Sequence, residues 1–264
     1  MLGAIIGDVV GSIYERHNIK TKDFEFFDKH CHFTDDTVMS LAVAKAILNC
    51  KGDYSGLYEQ TVSCMQELGN EYPRAGYGGG FRVWLMSDDP QPYNSYGNGS
   101  AMRVSPCGYA AKSLEEALML AEVTAKVTHN HPEGIKGAQA VAAAIFLARN
   151  GKSISEISEY INTDFYNINF TIDEIRPTYR FDVSCQGSVP QALQAFFESS
   201  DFEDAVRNAI SIGGDSDTIA AIAGSIAEAY YGIPDDIKHN ISKYLDKPLL
   251  EIYNAFEAEI NNNK

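Results

Sequence analysis

Residues 34–37 read Thr34-Asp35-Asp36-Thr37, and residues 215–218 read Asp215-Ser216-Asp217-Thr218. Each tetrad directly precedes an apolar, helix-forming run, so each is expected at the start of a helix. Carboxylate and hydroxyl oxygens are the ligands that Mg²⁺ and Mn²⁺ prefer. A fold that joins the two helix starts would gather four carboxylates and two threonines around a pair of metal ions.

Ordinary helix capping is the alternative interpretation of the tetrads. Thr, Asp and Ser are common N-caps, and an acidic first turn suits the helix dipole. A cap needs only one side-chain oxygen, however, and the adjacent Asp35 and Asp36 repel each other unless a cation or a proton relieves them. Two such tetrads in one chain therefore favour metal binding over capping.

The composition restricts the class of protein. The chain has 264 residues, of which 45% are hydrophobic, as expected for a globular protein with a sizeable core. Its formal net charge of −15 argues against binding to nucleic acid or to anionic membranes. A small anionic ligand is still compatible with this charge, because metal ions, glycines and helix N-termini can reverse the sign locally.

The N-terminal sequence and the cysteines indicate a cytoplasmic protein. The N-terminus lacks the basic region of a signal peptide, and no apolar run approaches the ~18 residues of a membrane span. The five cysteines are scattered without CxxC spacing, which suits a reducing compartment and gives no structural zinc signature. We expect a monomer that does not associate with membranes.

Hydrophobic periodicity predicts an all-α fold, formed as a single domain over residues 1–264. No linker-like change of composition and no repeat divides the chain. Residues 16–33 and 72–100 are expected to be mainly loop, with a short ordered piece at 81–86, and residues 164–183 irregular or with one short strand. The predicted helices are 2–15, 36–50, 56–69, 113–128, 133–149, 153–161, 190–199, 201–210, 216–231 and 248–260.

The first predicted helix carries a line of glycines and two acids. Gly3, Gly7 and Gly11 recur every four residues, which allows another helix or a ligand to approach closely. Asp8 and Glu15 would share one face of this helix, where they could serve a metal site or act in acid–base chemistry. A solvated helix face is the alternative for Glu15.

Two glycine-rich loops can present main-chain N–H groups to a phosphate, Gly76–Gly80 and Tyr93–Gly99. Ser95 and Asn98 can add hydrogen bonds, and Tyr96 offers a ring for stacking. Neither loop matches a Walker A or a Rossmann motif, so ordinary turns explain them equally well.

The segment from Thr128 to Glu133 contains His129 and His131. A turn that starts a helix is the simplest interpretation, and contact of one histidine with a ligand is the next. Zinc binding would need a third ligand at a recognisable spacing, which the sequence does not show.

The second tetrad also fits two other motifs weakly. Asp-Ser-Asp-Thr is similar to the nucleophile motif of haloacid-dehalogenase-type phosphatases, but that motif should follow a buried strand near the start of an α/β fold. Gly-Asp-Ser also matches the start of the GDSL esterase motif, but no Asp-x-x-His partner closes the chain.

Taken together, the motifs resemble the ADP-ribosylglycohydrolase family, in the family's order and over most of the chain. The matching pieces are Gly7–Glu15, Thr34–Thr37, Gly76-Tyr77-Gly78, Ser95–Gly99 with Ala101-Met102-Arg103, Thr128-His129, Ser188-Val189-Pro190, Gly213–Ala220 and Tyr230-Tyr231-Gly232. The resemblance implies an all-α domain that holds two Mg²⁺ (or Mn²⁺) ions and binds ADP-ribose or an ADP-ribosylated protein.

The resemblance also implies roles for individual residues. Glu15 falls on the catalytic glutamate, and Asp36 is a second candidate for proton transfer. The Ser184–Gly187 segment would lie near the adenine, although it matches the family poorly. The implied metal ligands are Thr34, Asp35, Asp36, Asp215, Asp217 and Thr218, and the implied contacts with ADP-ribose are Gly78, Gly79, Tyr93, Asn94, Ser95, Tyr96, Gly97, Asn98, Gly99 and His129.

The expected reaction is hydrolysis of the bond between ribose C1″ and a modified side chain or small acceptor, through an oxocarbenium-like transition state. A non-catalytic ADP-ribose reader and a metal-dependent nucleotide phosphohydrolase are the alternatives. The linkage cleaved, to arginine, serine or acetate, is not specified by these motifs. The divergent segments 16–33 and 151–185 are expected to form the mouth of the cleft.

Overall fold

Helices account for the regular secondary structure of this protein. The computed structural model describes residues 1–262, which contain fifteen α-helices, one 3-10 turn at Tyr54–Gly56 and no β-strand. The all-α prediction is confirmed for these residues; residues 263 and 264, the end of the expected domain, lie outside them. The helices are α1 (Leu2–Gly11), α2 (Asp35–Cys50), α3 (Leu57–Glu71), α4 (Gly79–Leu85), α5 (Gly99–Met102), α6 (Ser105–Ala110), α7 (Leu114–Lys126), α8 (Pro132–Arg149), α9 (Ile154–Asp164), α10 (Ile172–Ile175), α11 (Cys185–Phe197), α12 (Phe202–Ser211), α13 (Ser216–Tyr231), α14 (Asp235–Ile241) and α15 (Lys247–Asn262).

The centre of the fold is the pairing of α1 with α13, the most extensive contact between any two helices of the described chain. Every residue of α1 is buried, and α13 is buried from Ser216 to Ala227. The line of glycines on α1 makes this contact possible: a Cβ on Gly7 would lie 2.1 Å from the carbonyl oxygen of Ala220. The close approach of a second helix that the glycine spacing predicted is confirmed.

The other helices are arranged around this pair. Helices α11 and α12 pack on α13, whereas α2 packs on α1 and α3, and α7 pairs with α8. The N-terminal ends of α2 and α13 meet as a result, and Thr218 Oγ1 donates a hydrogen bond to Asp36 Oδ2 over 3.2 Å. Thr218 and Asp36 are 182 residues apart in the sequence. Their hydrogen bond therefore shows that the two tetrads lie together in the fold.

Helix α1 is shorter than predicted, and this changes the position of Glu15. The helix ends at Gly11, and Ser12 Oγ donates to the Val9 carbonyl over 2.8 Å, a side-chain bond that competes with continued helix. Glu15 lies in the turn that follows. The prediction that Asp8 and Glu15 share one helix face is therefore wrong.

The remaining differences concern short elements and one proline. Helices α5, α6, α10 and α14 have four to seven residues each and were not predicted, because a single turn carries little periodicity. Helix α11 starts at Cys185 rather than at residue 190, because the Ser184 side chain caps it by accepting from Gly187 N. Pro190 lies inside the helix, although proline usually marks a helix start.

The cysteines behave as core residues. All five are free thiols, and four of them are buried. Burial raises the pKa of the Cys107 and Cys185 thiols to about 12, so both stay protonated at neutral pH. Within residues 1–262, no helix combines the length and the apolar character needed to cross a lipid bilayer.

Replacement of Gly7 tests the contact between α1 and α13. Gly7→Ala should lower the free energy of unfolding by about 3 kcal/mol, because the new methyl group meets a main-chain oxygen that cannot rotate away. Gly79→Ala is the matched control: Gly79 is exposed in the first turn of α4, and a Cβ there meets nothing within 4 Å. Urea denaturation of both variants measures the difference, and equal stability would contradict the close contact.

Candidate functional site

A cleft of about 610 Å³ opens where α2 and α13 begin. The residues predicted for the metals, for catalysis and for the ligand line this cleft, except Asn94 and Tyr96. The predicted residues that line it are Glu15, Thr34, Asp35, Asp36, Gly78, Gly79, Tyr93, Ser95, Gly97, Asn98, Gly99, His129, Asp215, Asp217 and Thr218. Separate parts of the sequence thus contribute to one concave surface.

Three carboxylates form a buried cluster beside the cleft. Asp8, Asp36 and Asp217 each offer an oxygen, and these oxygens lie within 4.8 Å of one another. Burial, followed by the charge of Asp8, raises the pKa of Asp36 well above its ordinary value. Burial, followed by the charge of Asp215, does the same for the pKa of Asp217. The protein thus holds acids together against their mutual repulsion.

Asp8 is the member of this cluster that accepts the most hydrogen bonds from the protein. Its Oδ2 accepts from Thr34 N at 2.9 Å, from Thr37 N at 3.1 Å and from the Thr37 hydroxyl, and its Oδ1 accepts from Thr34 Oγ1 at 2.6 Å. Asp8 therefore caps α2 from another helix and fixes the position of the first tetrad. The sequence showed Asp8 as an acid, but only the packing of α1 against α2 reveals this role.

Asp36 has an oxygen that the protein leaves unpaired. Its Oδ2 accepts from Thr218 Oγ1, whereas its Oδ1 is buried and has no hydrogen-bond partner among the described residues. A buried carboxylate oxygen without a donor is unfavourable. The arrangement of hard oxygen donors around it has the chemistry that Mg²⁺ or Mn²⁺ requires.

Asp35 lies at the edge of the acidic cluster and is half-buried. Burial, followed by the charge of Asp8, raises its pKa to about 7. Its main-chain N–H donates to the Ala75 carbonyl over 2.8 Å, which attaches the first glycine-rich loop to the start of α2. Gly78 and Gly79 of that loop follow into α4 and line the cleft.

Asn98 connects the second glycine-rich loop to the second tetrad. Its amide nitrogen donates to Asp215 Oδ2 at 2.7 Å and to Ser188 Oγ at 3.0 Å. Both amide protons are thus engaged within the protein. Asn98 lines the cleft, and these bonds also make it a support for Asp215.

Glu15 is held at the cleft by a neighbouring asparagine that the sequence did not single out. Asn18 Nδ2 donates to the carbonyls of Glu15 at 2.9 Å and of Gly214 at 2.9 Å, and Gly214 N donates back to Asn18 Oδ1 at 2.8 Å. Gly213 and Gly214 both adopt positive φ, which glycine tolerates and which forms the turn into Asp215. Asn18 therefore ties the turn of Glu15 to the turn before α13.

The Tyr93–Gly99 loop is attached along both of its sides. The Thr128 carbonyl accepts from Tyr93 N, Asn98 N donates to the Val183 carbonyl at 2.7 Å, and Cys185 N donates to the Tyr96 carbonyl at 2.9 Å. Tyr96 itself is half exposed, and its ring lies against His131 outside the cleft. Asn94 also lies outside the cleft, where its N–H donates to Asn130 Oδ1.

The two histidines of the 128–133 segment have separate roles. His131 caps α8, since its Nδ1 accepts from Glu133 N at 3.1 Å, as the helix-start interpretation predicted. His129 is buried and faces the cleft. Within residues 1–262, the acidic cluster is the only group of three or more His, Cys, Asp or Glu side chains close enough to share a metal ion, and it contains neither histidine.

Both divergent segments contribute residues to the lining of the cleft, and we call this part of the lining the rim. Arg16, His32 and Phe33 contribute from the first segment, and Phe181 and Val183 from the second. Phe181 and Val183 are each 53% exposed, which is unusual for such apolar side chains and gives the mouth an apolar wall.

Comparison with known proteins identifies the family to which this architecture corresponds. Residues 1–262 match the sequence profile of the ADP-ribosylglycohydrolase family. Similar proteins include ADP-ribosylhydrolase ARH3 of Homo sapiens, which is 27% identical, with 95% of this chain and 90% of that protein covered. ADP-ribosylarginine hydrolase Tri1 of Pseudomonas putida is 28% identical over 88% of this chain and 70% of its own.

A solved structure supports the fold. An ADP-ribosylglycohydrolase-related protein complex contains a chain that superposes with a TM-score of 0.69, covering 97% of this chain and 93% of its own at 23% identity. The helical arrangement described above is therefore shared with that chain.

Two isosteric substitutions distinguish Asp8, which caps α2, from Asp36, which has an oxygen without a hydrogen-bond partner. With EDTA present, Asp8→Asn should lower the free energy of unfolding by about 1–3 kcal/mol, because an amide NH₂ would face donors of α2. Asp36→Asn should instead raise it, because it removes a buried charge from the cluster. Urea denaturation gives both values, and destabilisation by Asp36→Asn would contradict the assignment.

Proposed function

The chain belongs to the ADP-ribosylglycohydrolase family, and we propose that it is a metal-dependent hydrolase that cleaves the bond between C1″ of ADP-ribose and a modified protein side chain or small acceptor. The names of its relatives ARH3 and Tri1 support ADP-ribose chemistry. One observation carries the proposal: a carboxylate cluster, Glu15 and a glycine-rich loop beside His129 all lie at the same cleft.

The proposed cofactor is a pair of Mg²⁺ (or Mn²⁺) ions at the acidic cluster. The unpaired Asp36 Oδ1 supports a cation there, because no protein donor satisfies it among the described residues. The residues that would hold the ions are Thr34, Asp35, Asp36, Asp215, Asp217 and Thr218. When bound, the ions would supply positive charge that neutralises the carboxylates and attracts the hydroxyls of the ribose.

Glu15 is the proposed catalytic residue, as general acid–base or by orienting the ribose for attack. Its side chain is 29% exposed and faces the cleft, while Asn18 holds its main chain against the turn before α13. In the reaction, the bond from C1″ to the acceptor breaks and the oxygen of water bonds to C1″, while one proton passes to the leaving acceptor. Asp36 is the second candidate for this proton transfer.

The diphosphate of ADP-ribose is proposed to lie against the glycine-rich loops. Gly78, Gly79, Gly97 and Gly99 line the cleft, and the ring of His129 lies beside Gly97 and Gly99. This placement leaves the modified end of the ligand near Glu15 and the rim. The free thiols fit a reducing compartment such as the cytoplasm, where we propose that the protein acts as a monomer.

One panel of substrates tests the reaction and the metal together. Arginine-linked, serine-linked and acetyl-linked ADP-ribose are incubated with the protein in Mg²⁺ or in EDTA, and released ADP-ribose is measured. At least one linkage should be cleaved with Mg²⁺ and none with EDTA, because the carboxylates would otherwise repel the anionic substrate. Addition of Mg²⁺ should also raise the melting temperature of the wild type more than that of Asp36→Asn.

The other outcomes of this panel separate the alternatives. Undiminished hydrolysis in EDTA would overturn the metal requirement. Tight binding of ADP-ribose without cleavage of any linkage would identify a reader, and release of inorganic phosphate would identify a phosphohydrolase.

Glu15→Gln tests the proposed proton transfer. The variant should retain ADP-ribose binding but lose about 100-fold or more in kcat, because the amide cannot exchange a proton with the acceptor. Glu25→Gln is the matched control, because Glu25 lies exposed in the same segment and does not line the cleft. A wild-type kcat for Glu15→Gln would remove Glu15 from the chemistry.

A further inference from the structure

Arg103 is a buried cation without a counter-ion. Its side chain is 1% exposed, and no carboxylate forms an ion pair with it among the described residues. Its Nη2 donates to the Thr128 hydroxyl at 2.8 Å and to the Thr124 carbonyl at 3.2 Å, while its Nε has no hydrogen-bond partner in the described chain. A buried guanidinium with only neutral partners is unfavourable, and an anion bound nearby would offset this cost.

The hydrogen bond from Arg103 continues to the histidine at the cleft. Thr128 Oγ1 lies 2.7 Å from Nδ1 of His129. A Cβ placed on Gly99 would lie 3.2 Å from the other ring nitrogen, Nε2, and one on Gly97 would lie 3.5 Å from it. The imidazole therefore spans the distance between Thr128 and the main chain of the Tyr93–Gly99 loop.

The direction of these hydrogen bonds determines which nitrogen carries the proton. Arginine can only donate, so the Thr128 oxygen accepts from Arg103. Thr128 is fully buried, and its hydroxyl proton has one acceptor within reach in the described chain, His129 Nδ1. If Nδ1 carried a proton instead, the hydroxyl proton would be left without an acceptor. The satisfied arrangement therefore has the proton on Nε2.

We propose that Arg103 and Thr128 are positioning residues that fix His129 as the Nε2–H tautomer, and that this N–H donates to an anionic oxygen of the ligand in the Tyr93–Gly99 loop. The assignment of that oxygen to the diphosphate of ADP-ribose rests on the proposed function. The tautomer itself depends only on the hydrogen bonds of the free protein.

The electrostatic surroundings of the His129 ring favour its neutral form, which can donate from Nε2. Burial, followed by the positive charge of Arg103, lowers the pKa of His129 well below its ordinary value. The ring therefore stays uncharged at neutral pH and donates from one nitrogen only. Arg103 also lines the cleft, so its positive charge favours an anion there, and the relay of its hydrogen bond through the Thr128 hydroxyl supports the orientation of the ring.

Nitrogen-15 NMR of the imidazole tests the relay, with His129 assigned by comparison with His129→Gln. The wild type should show a protonated Nε2 and an unprotonated Nδ1. Thr128→Ser keeps the hydroxyl and should keep this tautomer, whereas Thr128→Val removes the donor to Nδ1 and should give a mixture. Calorimetry with ADP-ribose should show binding about tenfold weaker for Thr128→Val and within about threefold of wild type for Thr128→Ser.

A second variant separates the relay from a general structural effect. Arg103→Met leaves Thr128 in place but frees the Thr124 carbonyl, which can then accept the Thr128 hydroxyl proton while the Thr128 oxygen accepts from Nδ1–H. The Nε2–H form should therefore no longer dominate. A wild-type tautomer in both Thr128→Val and Arg103→Met would overturn the relay. Wild-type affinity in Thr128→Val despite a changed tautomer would overturn the role in binding. Failure of the wild type to bind ADP-ribose would overturn the proposed function, while the tautomer in the free protein still decides the relay.

Discussion

The contact between α1 and α13 at main-chain distance is the constraint on which the rest of the structure depends. Only glycine at Gly3 and Gly7 allows the two backbones to meet, and this contact buries the whole of α1. Asp8 is thereby placed under the first turn of α2, and Gly11 is placed against Asp217. The two tetrads meet because α1 packs against both α13 and α2, which brings the N-termini of α2 and α13 together.

Where the two tetrads meet, some acids stabilise the fold and others destabilise it. Asp8 stabilises α2 with four hydrogen bonds, whereas Asp36 and Asp217 gain few partners and repel each other. A fold selected only for stability would not bury three carboxylates together. A concentration of buried charge of this kind is typical of functional sites.

Much of the fold and site could be predicted from the sequence, because long helices and contiguous motifs leave local signals. Helix α13 begins and ends at the predicted residues, and the two tetrads were recognisable as oxygen-rich helix starts. The end of α1 was mispredicted because apolar periodicity runs past Gly11 although the helix stops there. The links made by Asn18 and by Arg103 with Thr128 join residues far apart in the chain, and a single sequence contains no sign of such pairings.

The two rim segments are attached to each other, because Lys20 Nζ donates to the Tyr179 carbonyl over 2.8 Å. The acids lie at helix ends, whereas the rim lies on loops whose inner aromatic side chains, such as Phe24 and Tyr179, pack against the core. The outer rim side chains Phe181 and Val183 are exposed, so substitutions there can alter the mouth while the inner packing of both segments is kept. The shape of the entrance can thus change without any change to the acidic cluster.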